Sequence, residues 1–71
     1  MIAVHRLTGL RVNVLVEVDR IEVGTPDGSM QTFHRWNSAR TEAGQQVLAY
    51  QDKPTCHIQT EAGLIECDLI R

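Results

Sequence analysis

The side chains that could do chemistry gather in two places. The first is Cys56, His57 and Cys67, with Glu66 beside them. Thiolate and imidazole are the donors that zinc prefers. The spacing works against a shared ion, however. Cys56 and His57 are adjacent, and adjacent residues of a strand point to opposite faces. Cys-x-x-Cys is absent, and a further donor would have to come from His5 or His34. The two cysteines therefore read as buried thiols, ahead of a redox pair or disulfide, with metal last. His57 with Glu66 is the one candidate acid–base pair, and on an exposed hairpin such a pair is worth little.

The second place is the tetrapeptide Phe33-His34-Arg35-Trp36. On a strand, Phe33 and Arg35 share one face while His34 and Trp36 share the other. The plainer reading is that both rings belong to the core of a domain with so few aromatics; the other is that one ring anchors the core and the second lies exposed beside a charge. Aromatics with Arg are the composition of protein-interaction hot spots, and also of stacking platforms for single-stranded nucleic acid. These four residues are the candidate interaction patch.

Other chemistries lack their motifs. The sequence has no nucleophile elbow, phosphate loop, dinucleotide fingerprint or His-Glu-x-x-His. No catalytic residue, cofactor or metal is assigned. The formal net charge is −2, and the basic residues Arg6, Arg11, Arg20, Arg35, Arg40, Lys53 and Arg71 are scattered among acids, which disfavours nucleic acid. The start, Met1-Ile2-Ala3-Val4-His5-Arg6, lacks the pattern of a signal peptide, and no apolar run approaches the length of a membrane helix. The expected compartment is the cytoplasm, where thiols stay reduced.

These residues must be held by a single domain, residues 1–71. Its only aromatics are Phe33, Trp36 and Tyr50, so Val, Ile and Leu should build the core. Leu10, Val12, Val14, Val16 and Val18 alternate with Arg11, Asn13, Leu15, Glu17 and Asp19, which marks a strand with one buried face and, through Leu15, a second face that is partly covered. The apolar set then moves to odd numbers at Ile21 and Val23. That slip predicts a β-bulge at Asp19-Arg20 within one long strand. Upstream, Leu7-Thr8-Gly9 reads as a hairpin loop that pairs Ile2 with Val14 and Val4 with Val12. Downstream, Thr25-Pro26-Asp27-Gly28 is a turn leading to a strand from Met30 to Trp36.

Ala39, Ala43, Val47 and Tyr50 recur at helical spacing after a capping residue, which predicts a helix at 38–51. A final hairpin spans 55–60 and 64–70. Burial of one face selects the register that sets Cys56 opposite Cys67, Ile58 opposite Ile65 and His57 opposite Glu66.

The expected fold is α+β: a small curled antiparallel sheet of about five strands, β-β-β-α-β-β, with one helix, or a small open barrel. The expected function is a non-catalytic protein-binding or assembly module. The alternative is a weak binder of single-stranded nucleic acid using the segment around Trp36. The edge candidates are Ile2 to Arg6 and Leu64 to Ile70, neither with Pro; the first is the less protected, which points to a two-fold homodimer through the N-terminal strand.

Overall fold

The computed structural model describes residues 1–71 and consists entirely of strands and turns. The strands are β1 (Ile2–His5), β2 (Arg11–Gly24), β3 (Met30–Thr41), β4 (Val47–Ala49), β5 (Thr55–Thr60) and β6 (Gly63–Ile70). They form one six-stranded sheet in the order β3-β2-β1-β6-β5-β4, antiparallel at every pairing.

The helix expected at 38–51 is absent, so the domain is all-β and not α+β. A spacing of four residues is close to one helical turn, but it is also a multiple of the strand period of two. Ala39 and Val47 fit both patterns. The decisive signals lie between them. Ala39 and Thr41 are buried while Arg40 is exposed, which is strand alternation. Gly44 sits at φ 89°, where it turns the chain from β3 into β4. The turn is fixed by Thr41: its N–H donates to the Gln45 carbonyl at 2.9 Å, and its Oγ1 accepts from the Gln45 N–H at 3.1 Å.

All six strands contribute to one buried cluster: Ala3, Val14, Ala39, Val47, Cys56, Ile58, Cys67 and Leu69. A single sheet can do this only by curling around its own interior. The end strands β3 and β4 meet at the bridge Arg40–Gln46. The interior is narrow, and Ala, Cys and Thr fill much of it in place of the larger aliphatics.

That narrowness accounts for a correction in the first hairpin. The loop runs from Arg6 to Leu10 with Gly9 at φ 75°. It pairs Ile2 with Asn13, Ala3 with Val12 and Val4 with Arg11, one residue from the expected register. Ala3, fully buried, takes the inward place on a strand flanked on both sides. The N-terminal strand is therefore not an edge. It pairs with β2 on one side and β6 on the other, so it offers no free backbone to a second copy. The final hairpin has the expected register, with Cys56 opposite Cys67, His57 opposite Glu66 and Ile58 opposite Ile65.

The longest elements, β2 and β3, leave the barrel together. Their ladder shifts between Glu17 and Val18, where Glu17 pairs with Ser38 and Val18 with Trp36. The bulge expected in β2 at Asp19-Arg20 thus lies on the facing strand, with Asn37 as its extra residue. Beyond it, residues 18–36 form a two-stranded arm closed by the turn at Thr25–Ser29. The molecule measures 51 × 20 × 16 Å, and its radius of gyration is 15.3 Å. A compact domain of this length would have a radius of about 11 Å.

Candidate interaction site

The four residues of the candidate patch all lie on the arm, and the ladder divides them as alternation requires. Phe33 stands opposite Ile21, and Arg35 opposite Asp19. His34 stands opposite Arg20, and Trp36 opposite Val18. Phe33 is 50% exposed. The Arg35 guanidinium lies 3.9 Å from the Asp19 carboxylate.

Trp36 has a different role. Because the bulge absorbs Asn37, Trp36 falls in phase with Ala39 and Thr41 and packs against the core. The Arg71 guanidinium covers its ring at 4.8 Å from the centroid. Arg71 also donates to the carbonyls of Tyr50 (3.1 Å), Lys53 (2.7 Å) and Gln51, tying that loop to the root of the arm. Gln51 Nε2 in turn donates to the His34 carbonyl at 3.0 Å. One face of Trp36 is thus occupied within its own chain by the Arg71 guanidinium.

The arm holds more apolar surface than its aromatic segment indicated. Ile21 and Val23 lie on the Phe33 face, while Val18 and Met30 lie on the opposite face. Val18, Val23, Met30 and Phe33 are all exposed, and Ile21 is half-buried. The signal for Ile21 and Val23 was the change of parity along β2. In the barrel the even residues Val12, Val14 and Val16 face the interior. In the arm the odd residues carry the apolar set, on the side of the sheet away from that interior. They are not a continuation of the core.

The arm's charges are largely compensated. Arg20 pairs with Glu22 at 2.8 Å on the His34 face. At the tip, Asp27 accepts from Thr25 Oγ1, from Ser29 Oγ at 2.7 Å and from the Ser29 N–H at 3.0 Å. These bonds, led by that from Thr25, hold its carboxyl well below the ordinary value, at about 2.

Comparison with protein-family models, with curated proteins and with solved structures returned no match to this chain.

The other candidates separate. Cys56 and Cys67 are buried, adjacent and unbridged. Burial, followed by the neighbouring Cys67 and Asp68, pushes the Cys56 thiol up to about 11. His57 lies on the outer face, 3.5 Å from Glu66, and Glu66 is shared with Arg6, which also holds Asp68 at 3.0 Å. That is an open surface network, without a concavity to hold a substrate. No group of three His, Cys, Asp or Glu side chains converges as a metal site would require. A groove of about 180 Å³ between β3 and β4 is lined by Trp36, Ala39, Val47, Ala49 and Tyr50 among others. Small-molecule sites usually enclose about 300–1,000 Å³. No helix is long and apolar enough to cross a membrane.

Proposed function

We propose that this protein is a non-catalytic protein-binding module of the cytoplasm that assembles with a partner through its β2–β3 arm. The observation that carries this reading is the reversal of the apolar face. Ile21, Val23 and Phe33 form an apolar strip on the side of the arm turned away from the barrel interior. A two-stranded ribbon with nothing packed on it is marginally stable in water. A chain that keeps such a ribbon, and gives it an outward apolar strip, has a surface suited to being covered.

The surface area supports the same reading. The molecule exposes 5196 Å², against about 4,450 Å² for a compact monomer of its mass. The excess of about 750 Å² is close to what one partner contributes to a standard protein interface, about 800 Å². Unbridged Cys56 and Cys67, opposite one another, fit a reducing compartment.

The test is affinity capture from the native host extract with quantitative mass spectrometry, using wild type, Phe33→Ala and the distant control Leu64→Ala. The arm reading requires a partner that wild type and Leu64→Ala retain and Phe33→Ala loses. The expected loss of affinity is about 2 kcal/mol, the scale of a hot-spot aromatic. Capture of the same partners by all three chains would rule the arm out as the binding surface.

A further inference from the structure

The arm has two lateral edges as well as two faces. The β3 edge is partly occupied, since Gln51 bonds to the His34 carbonyl. The β2 edge is bare. β1 covers β2 only as far as Val14, whose N–H donates to the Met1 carbonyl at 2.8 Å. From Val16 to Gly24, β2 has a partner strand on one side alone.

Which groups that edge presents follows from the turn. The Thr25 N–H donates to the Ser29 carbonyl at 2.8 Å, and bonded pairs alternate along an antiparallel ladder. Val23–Gln31, Ile21–Phe33 and Asp19–Arg35 are therefore the bonded pairs. The N–H and C=O groups of Val18, Arg20, Glu22 and Gly24 point outward from β2. The same phase makes the His34 carbonyl point outward from β3, where Gln51 meets it. No Pro or Lys interrupts the β2 edge, and along the arm its charges are Asp19, Arg20 and Glu22. Charged side chains guard an exposed strand unless a partner strand brings opposite charges to meet them.

We infer that this edge pairs with the same edge of a second copy, antiparallel, about a two-fold axis at Ile21. The inference rests on reading the arm as an assembly element. The register is chosen by charge. Antiparallel pairing about a two-fold sets side chains of one face together, so the axis must pass beside a residue that meets its own copy. An axis at Asp19, Arg20 or Glu22 sets a charged side chain against itself. An axis at Val18 sets Glu17 against Asp19, and one at Val23 engages little of the edge. The axis at Ile21 sets Arg20 of each copy opposite Glu22 of the other, twice. It also makes one four-stranded sheet, with a row Phe33, Ile21, Ile21, Phe33 crossing its apolar face. Opposite-charge and apolar cross-strand pairs are the stabilising unit of a sheet.

The test is sedimentation of the full chain at micromolar concentration, with circular dichroism to verify the fold. Wild type sediments as a dimer. Arg20→Glu alone and Glu22→Arg alone each place like charges opposite one another, and each raises the dimer dissociation constant by about tenfold or more. An equimolar mixture of the two variants restores dimer, as does the chain carrying both changes. A monomeric wild type overturns the pairing, and if Phe33→Ala still loses a partner in capture, the arm serves a different protein. A dimer indifferent to both charge changes also overturns it, because the copies then meet elsewhere.

Discussion

At the scale of single residues, two protonation states carry consequences. The Cys56 thiol, at about 11, and the Cys67 thiol, also raised by burial first, are neutral at physiological pH. The thiolate is the reactive form, so native labelling by a bulky thiol reagent at pH 8 should be slow and should become fast on unfolding. Rapid native labelling of both would mean that the barrel opens at β5 and β6. The sign of the pH effect follows. The fold favours the neutral thiol, so stability is intact below pH 9 and falls as the pH rises towards 11. Asp27 works in the opposite direction. Its carboxylate is favoured in the folded turn, so the order of the Thr25–Ser29 loop is complete above about pH 4 and lost as the pH falls towards 2. A carboxyl titration followed by NMR should give a midpoint near 2 for Asp27, and Asp27→Ala should abolish the protection of the Ser29 amide. A midpoint near 4 would mean that the loop does not hold the carboxylate.

At the scale of elements, the turn from β3 to β4 closes the sheet, and it hangs on the buried hydroxyl of Thr41. Thr41→Val keeps the shape but leaves the Gln45 N–H without its acceptor. The expected cost is about 1 kcal/mol in urea unfolding, the net worth of a part-buried hydrogen bond. An unchanged midpoint would mean that water serves Gln45 equally well. The same segment marks where the sequence was legible and where it was not. The last hairpin was readable because Cys56 and Ile58 alternate with His57 and Gln59, so only one register buries an apolar face. Residues 38–51 were not, because their alanines and valine recur at a spacing both periods accept, and only Gly44 and Thr41 break the tie. The central place of β1 was beyond reach, since the β1–β6 ladder joins residues from opposite ends of the chain. Of the candidate patch, the split of Phe33 and Arg35 from His34 and Trp36 was legible from alternation. That Arg71 would cover Trp36 was not, for the two are brought together only by the fold.

At the scale of the whole molecule, one residue decides where the arm points. Asn37 is the surplus residue of the ladder, and every pair on either side of it forms without it. Its contribution is angular: a bulge bends and twists the strand that contains it. The arm from Val18 to Gly24 is a lever about 23 Å long, so each 10° of bend at its root carries the tip sideways by about 4 Å. Deleting Asn37 should preserve the pairing, the inward placement of Trp36 and the unfolding midpoint to within about 1 kcal/mol, yet change the direction of the arm. Small-angle scattering would register the change in shape. A deletion that unfolds the barrel would show that the bulge serves stability instead. If the deletion leaves the barrel folded, aim and stability are written into different residues, and the direction in which this chain reaches can vary without disturbing the barrel that holds it.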